Sequence, residues 1–387
     1  MKRQTTSPRM KGAKKISSLA LGATSMSSAF QVPTTPTLAL NTLNQQKQAT
    51  TIPMPQIGIG TYKFKKGSGE ASRAVVDALQ IGYRQIDTAF IYGGEQTEKE
   101  IGNALASIIS STTPRSEIFL TSKQWRAYHG YEPTIECLNK SLKRLQTDYL
   151  DLYLIHWPGP AYNTMNRRKD LMEESPDGPF VYAKQGHEEV NIQALRSETW
   201  RAMEESLYAG KCRAIGVSNF TIRHLEALKK TAKVWPPAVN QIELHPYNPQ
   251  TELVAYCQKE GIAIQAYASL GGQDCGKKTW NILGGKLLER DEVTGIADKH
   301  GKTPAQVLLR WATQQGFSVI PKSSNVEHLR MNLEAVTAEI GLDKEDMELL
   351  NSLDQSQLTI EEEGTVKANE KARLCWVRDP LKMLDFE

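Results

Sequence analysis

The chain has 387 residues, of which 40% are hydrophobic and 24% are charged, and its net charge is +3. These are the proportions of an ordinary globular protein, and the charge is too small to favour a nucleic-acid or anionic-membrane partner. No apolar run approaches the ~20 residues of a membrane helix. The cysteines are scattered without C-x-x-C spacing, so no metal site is predicted.

The first 50 residues differ in composition from the rest. The segment has no Asp or Glu, begins with several Lys and Arg, and is then dominated by Ser, Thr, Gln and Pro. Such a composition cannot bury a core and predicts disorder. A basic start before a short small-residue stretch resembles a cleavable targeting segment, which predicts a plastid or mitochondrial location. The alternative is an untargeted tail on a cytoplasmic protein.

From residue 51 to residue 355, strand-like and helix-like segments alternate. Strands are predicted at 85–89, 118–122, 150–155, 213–217, 239–242, 262–267 and 318–320, with a weaker eighth at 335–340. Amphipathic helices are predicted at 71–79, 134–145, 198–208, 223–230, 251–259, 304–314 and 326–332. Alternation of this kind implies parallel pairing through right-handed crossovers.

The predicted fold is therefore an α/β protein, a single (β/α)₈ TIM barrel of about 250 residues or more. Residues 356–387 are predicted to form a C-terminal loop and tail. The competing doubly wound sheet would carry G-x-G-x-x-G after its first strand. The one candidate, at 58–63, ends in Lys63 and breaks that motif.

Four polar side chains follow three consecutive predicted strands. Asp87 ends the first, with Tyr92 in the loop behind it, Lys123 ends the second and His156 ends the third. In a barrel, the C-terminal strand ends carry the chemistry. Taken singly, Asp87 and Lys123 are better explained by a structural ion pair, but the four together suit an active site.

These residue types form an acid–base set. A phenol has a pKa near ~10, and a cation within ~4–6 Å lowers it. Lys123 can be that cation and Asp87 can hold it, so the expectation is that Tyr92 becomes a stronger proton donor. Such a donor can give its proton to a developing alkoxide. His156 can hydrogen-bond the oxygen of the same substrate carbonyl and orient it.

Longer segments resemble one known family. They are M-P-Q-I-G-I-G-T-Y-K (54–63), G-Y-R-Q-I-D-T-A-F-I-Y-G (82–93), F-L-T-S-K-Q-W (119–125), D-Y-L-D-L-Y-L-I-H-W-P (148–158), G-K-C-R-A-I-G-V-S-N-F (210–220), N-Q-I-E-L-H-P (240–246) and I-P-K-S (320–323). In this order they look like the aldo-keto reductases. The resemblance implies a barrel that reduces aldehydes and ketones with NADPH, Tyr92 being the proton donor, and NADH an alternative cofactor. It also implies that residues 356–387 lie over or near the barrel mouth.

The resemblance also implies a cofactor site. Ser218, Asn219 and Gln241 match the positions that hold the nicotinamide amide, and Tyr267 matches the ring that stacks on it. The remaining cofactor positions are Ser269 and Leu270 along the pyrophosphate, Lys322, Ser323 and His328 at the 2′-phosphate, and Asn332 at the adenine. At His328 the family often has Arg, and a largely neutral imidazole weakens the expected preference for NADPH.

The expected substrate pocket is lined by Tyr62, Trp125 and Trp157, since aromatic side chains supply apolar area in a concave site. Core packing is the alternative explanation for each Trp. The long segment 159–196 is expected to border this pocket. The predicted partner is a small carbonyl compound, and the protein is expected to be a monomer.

Two other functions stay open. Fold does not fix function, so the same barrel can serve as a catalytically silent cofactor-binding regulatory or structural subunit. The third alternative is an isomerase or lyase with a phosphate-binding loop, which the Ser218, Asn219 and Gln241 set argues against, because such a site needs no carboxamide clamp.

Overall fold

The computed structural model describes residues 35–109, 113–159, 192–272, 285–338 and 340–354. The predictions made for the targeting segment, for most of the 159–196 segment and for the C-terminal tail fall outside these ranges and stay predictions. Within the described part of the chain, no helix has both the length and the apolar character needed to cross a bilayer.

A β-hairpin precedes the barrel. Strands β1 (Thr37–Leu43) and β2 (Ala49–Pro55) pair antiparallel, with Leu40 opposite Ile52. The prediction of disorder through residue 50 is therefore wrong for residues 37–50. Leu40 and Met54 are fully buried against the barrel residues Leu152 and Leu154. The polar composition had hidden this alternation of inward apolar and outward polar side chains.

Eight parallel strands form the barrel: β3 (Ile59–Gly60), β4 (Gln85–Asp87), β5 (Phe119–Gln124), β6 (Leu150–Ile155), β7 (Cys212–Ser218), β8 (Val239–Glu243), β9 (Ala263–Tyr267) and β10 (Ser318–Val319). Neighbours in sequence are neighbours in the sheet. A parallel bridge between Ile57 and Val319 joins the first edge to the last. This closure is that of a (β/α)₈ barrel.

The eighth strand predicted at 335–340 is wrong. Residues 335–337 belong to a helix, Val326–Thr337, whose buried residues Leu329, Leu333 and Val336 recur at helical spacing. The strand that completes the barrel is β3 at the beginning of the sheet. It is only two residues long and ends in Gly60, so it carries little β-signal of its own.

Ten helices are described: α1 (Glu70–Ile81), α2 (Gln96–Ile109), α3 (Tyr131–Leu145), α4 (Ile192–Tyr208), α5 (Ile222–Lys229), α6 (Thr251–Glu260), α7 (Asp291–His300), α8 (Pro304–Gln314), α9 (Val326–Thr337) and α10 (Lys344–Asn351). All seven predicted helices are confirmed. Helix α8 begins at an N-cap, Thr303, whose side chain accepts a hydrogen bond from the Gln306 amide.

Strand periodicity decides which side chains reach the barrel interior. In β6, Leu152 and Leu154 pack inside while Tyr153 packs outward against the helices. Lys123 pairs with Leu154 and Ser122 with Tyr153 in the β5–β6 register. Lys123 is therefore directed inward and Ser122 outward, as the two-residue period requires.

Candidate active site

A buried ion pair lies at the base of the site. The Lys123 ammonium donates hydrogen bonds to both carboxylate oxygens of Asp87, at 2.7 and 2.8 Å, and to the carbonyl of Thr88 at 2.9 Å. Both side chains are almost fully buried. A charged amine in such surroundings persists only when paired and hydrogen-bonded, as it is here.

The Tyr92 hydroxyl lies beside this pair and accepts a 3.5 Å hydrogen bond from Lys123 Nζ. Burial, then the negative charge of Asp87, raise the pKa of Tyr92 well above its usual range. The pKa of Tyr92 is therefore raised overall, whereas Lys123 considered alone was expected to lower it. Burial has the larger effect, and the negative charge of Asp87 beside the phenol adds to it. Tyr92 is accordingly protonated throughout the neutral range.

His156 faces the same opening. Its ring centroid lies 5.8 Å from that of Tyr92 and 5.6 Å from that of Trp125. Burial, helped by the charges of Lys123 and Arg126, holds the pKa of His156 well below its usual range. The imidazole is therefore neutral, with one ring nitrogen able to donate a hydrogen bond.

A second wall carries amide and hydroxyl groups. Asn219 has a left-handed backbone, with φ +63°, and donates from Nδ2 to the His156 carbonyl at 2.9 Å. Its Oδ1 accepts a 2.7 Å hydrogen bond from the Tyr267 hydroxyl. Ser218 Oγ lies 3.1 Å from Asn219 Nδ2, and Gln241 donates from Nε2 to Asp87 Oδ2 at 2.7 Å. This network joins the amide wall to the ion pair.

One cavity of about 480 Å³ unites these walls. Twelve of the predicted site residues line it: Tyr62, Asp87, Tyr92, His156, Trp157, Ser218, Asn219, Gln241, Tyr267, Ser269, Leu270 and Lys322. Lys123 lies behind Asp87 and reaches the site through Tyr92. Trp125 is half-buried beside His156 but does not line the cavity.

The residues expected at the adenosine end extend away from the cavity. Lys322 is exposed at its edge, with Nζ 4.7 Å from the Phe64 ring centroid. Ser323 is buried and accepts a 3.0 Å hydrogen bond from the Asn325 amide. His328 is exposed in the first turn of α9, and Asn332 is buried further along that helix.

The sequence prediction missed a third wall. Gly60, Thr61 and Lys63 line the cavity after β3, and Ile320 and Pro321 line it after β10. Recognising 59–60 as a strand would have found the first group, because the C-terminal strand ends of a barrel carry its site. Gly60 is required there, since an added Cβ would lie 2.4 Å from the Ile320 carbonyl oxygen.

Residues 56–355 match the model of the Aldo/keto reductase family. The chain belongs to this family. It is 39% identical over 306 residues to the glyoxal reductase of Bacillus subtilis, covering 79% of this chain and 91% of that protein. Identity to the NAD(P)H-dependent D-xylose reductase I,II of Candida tropicalis is 38% over 327 residues, covering 83% and 93%.

A solved structure agrees with the fold of this aldo/keto reductase. The crystal structure of a Bombyx mori aldo-keto reductase in complex with NADP superposes with a TM-score of 0.64 at 30% identity, covering 83% of this chain and 93% of that one. The fold inferred from the family resemblance is therefore confirmed.

Proposed function

We propose that this aldo/keto reductase reduces aldehydes and ketones to alcohols with NADPH, with Tyr92 as the proton donor. One observation carries the proposal: the Tyr92 hydroxyl lies 3.5 Å from Lys123 Nζ and shares a cavity with His156 and an amide wall. A structural ion pair alone would not need a phenol and an imidazole converging on the same opening.

The cavity fits a nicotinamide cofactor. Its volume of about 480 Å³ is within the usual range of small-molecule and cofactor sites. Ser218, Asn219 and Gln241 present hydroxyl and amide groups suited to a carboxamide, and Tyr267 offers an aromatic ring above them. Lys322 at the edge is the compact cation expected for a 2′-phosphate. When bound, a reduced nicotinamide supplies a hydride to the carbonyl carbon.

The chain's own residues supply the proton and the orientation. The neutral imidazole of His156 donates a hydrogen bond to the carbonyl oxygen and holds it toward Tyr92. As negative charge develops on that oxygen, the Tyr92 O–H bond breaks and its proton passes to the alkoxide. The hydrogen bond from the Lys123 ammonium then joins two opposite charges and stabilises the phenolate. In the reverse oxidation, Tyr92 takes the proton back.

The substrate class follows from the site and from the relatives. Tyr62 and Trp157 give the mouth an apolar surface with few polar anchors, which suits a small carbonyl compound. Glyoxal and D-xylose are the first compounds to test, because the names of the two relatives refer to them.

A catalytically silent subunit is the second candidate, and turnover separates the two. NADPH oxidation followed at ~340 nm with glyoxal should be rapid for the wild type and lost in Tyr92→Phe, because a benzyl ring has no proton to donate. NADPH affinity, measured by fluorescence quenching, should stay unchanged. Tyr208→Phe on α4 is the matched control and should retain full activity. NADPH binding by the wild type without turnover of any carbonyl would instead support the silent subunit.

A further inference from the structure

The backbone after Tyr92 has an unusual conformation. Gly93 and Gly94 both have φ +57°, and Glu95 has φ +82°. The two glycines adopt this left-handed region without strain, but a glutamate does not. A strained residue of this kind persists only where its surroundings hold it. The turn that presents Tyr92 to the cavity therefore depends on contacts made by Glu95.

Arg144 on α3 makes those contacts. Its Nη2 lies 2.9 Å from Glu95 Oε2, and its Nη1 lies 3.3 Å from Oε2 of the buried Glu98. Its guanidinium carbon lies 4.1 Å from the centroid of Phe90, two residues before Tyr92. A single guanidinium thus contacts the chain on both sides of the proton donor.

This guanidinium is itself fixed in place. Glu98 Oε1 accepts a 2.7 Å hydrogen bond from Ser122, the residue next to Lys123 in β5. Helices α2 and α3 touch at Gly102, where an added Cβ would lie 2.2 Å from the Arg144 carbonyl oxygen. The Arg144 side chain therefore links the turn that carries Tyr92 to the strand that carries Lys123.

We infer that Arg144 and Glu95 are positioning residues for Tyr92, which hold its hydroxyl at the Lys123 ammonium by fixing the strained 93–95 turn. The inference rests on the proposed role of Tyr92. The Glu95 side chain is 48% exposed, and exposed ion pairs add little to overall stability. The expected effect of breaking the pair is therefore on the chemical step rather than on folding.

Three substitutions at Glu95 separate the contribution of its carboxylate from that of its backbone strain. Glu95→Ala removes the carboxylate and should lower kcat about tenfold, because small misplacements of reacting groups slow the chemistry strongly. Glu95→Gln keeps an acceptor for Arg144 and should stay near wild type. Glu95→Gly also removes the acceptor but relieves the backbone strain, so its kcat should be higher than that of the alanine variant. NADPH affinity should be unchanged in all three.

Arg213→Gln is the matched control. It removes a guanidinium from Asp151, 2.7 Å away, in an ion pair that involves neither Tyr92 nor its turn. Asp151 keeps Arg115 at 2.9 Å, so neither thermal stability nor kcat should change much. A ¹³C-ring-labelled protein adds a readout independent of turnover: the Tyr92 resonance, assigned with Tyr92→Phe, should shift or broaden in Glu95→Ala but not in Arg213→Gln.

The outcomes distinguish this inference from the proposed function. Wild-type kcat and an unaltered Tyr92 resonance in Glu95→Ala would overturn the positioning role while leaving the proton donor intact. A kcat for Glu95→Gly no higher than that of Glu95→Ala would also overturn it, because relief of the backbone strain should restore the turn without Arg144. An active Tyr92→Phe would overturn the proposed function. The Tyr92 resonance in Glu95→Ala would then still show whether the Arg144–Glu95 pair positions the Tyr92 ring.

Discussion

The side-chain amide of Gln241 donates a 2.7 Å hydrogen bond to Oδ2 of Asp87, although the two residues are 154 positions apart in the chain. The same carboxylate accepts from Lys123. Asp87 therefore joins the amide wall of the cavity to the ammonium beside Tyr92. A change at Asp87 is expected to act on cofactor placement, proton donation and stability together.

The Asp87–Lys123 pair can be tested by removing one charge and then both. Asp87→Asn leaves the Lys123 ammonium buried without a counter-charge, so the free energy of unfolding should fall by about 3–5 kcal/mol, and kcat should fall as well. Urea denaturation and NADPH oxidation measure the two effects.

The double variant Asp87→Asn/Lys123→Met is the control for this prediction. With neither charge left, it should regain much of the stability but none of the activity, since the phenol then has no ammonium beside it. Equal instability of the single and double variants would mean that the loss does not come from an uncompensated buried charge.

Two buried histidines predict sensitivity to acid. Burial, together with the charges of Arg126 and Arg196, lowers the pKa of His129 to about 3, and burial lowers that of His156 well below 6.5. Both are neutral in the folded state but take up a proton below about pH 6.5 when unfolded. The unfolded state then binds more protons, so stability falls as the pH drops from about 6.5 toward 3.

The expected slope is about 1.4 kcal/mol per pH unit for each histidine once the pH is well below 6.5. Chemical denaturation at a series of pH values measures it. In His129→Gln one titrating group is gone, so the contribution of the pair should halve. A variant with the wild-type slope would show that His129 is not the group that stays neutral in the folded protein.

The sequence predicts a site residue well only where the strand before it has a clear hydrophobic pattern. Lys123 and His156 follow apolar runs that any strand pattern reveals, and the strand-end rule then places them together. Thr61 and Lys63 follow β3, which has two residues and a glycine, so they were missed. The buried-strand signal is too weak there for local pattern to find it.

Electrostatics was the other part that the sequence could not supply. Residue types alone suggested that Lys123 acidifies Tyr92, but the outcome depends on burial and on where Asp87 lies. Because both Asp87 oxygens contact the ammonium, a negative charge lies beside the phenol together with the positive one. Distances of this kind depend on packing between strands that are far apart in sequence.

If Lys322 contacts the 2′-phosphate, its removal should weaken NADPH binding more than NADH binding. Lys322→Met should weaken NADPH binding roughly tenfold to hundredfold, the usual worth of a hydrogen bond to a charged group, and should leave NADH binding nearly unchanged. Fluorescence titration with both cofactors measures the ratio. Lys344→Met, an exposed lysine on α10, is the matched control. Equal weakening of the two cofactors would show that Lys322 does not contact the 2′-phosphate.

Closure of the barrel depends on a glycine that also lines the cavity. The Gly60 amide donates a 3.0 Å hydrogen bond to the Pro321 carbonyl, and an added Cβ would lie 2.4 Å from the backbone oxygen of Ile320. Gly60→Ala must therefore push the first and last segments of the barrel apart. Overpacking of this kind costs about 1–3 kcal/mol of unfolding free energy.

Gly295 on α7 is the matched control, because nothing lies within 4 Å of the Cβ that alanine would add there. Alanine in a helix interior is favoured over glycine by about 0.5–1 kcal/mol, so Gly295→Ala should be more stable than the wild type. The midpoints of thermal and of urea unfolding should both fall in Gly60→Ala and both rise in Gly295→Ala. A Gly60→Ala protein as stable as the wild type would mean that the backbones at residues 60 and 320 separate without cost. Close contact between them would then not be needed for closure of the barrel.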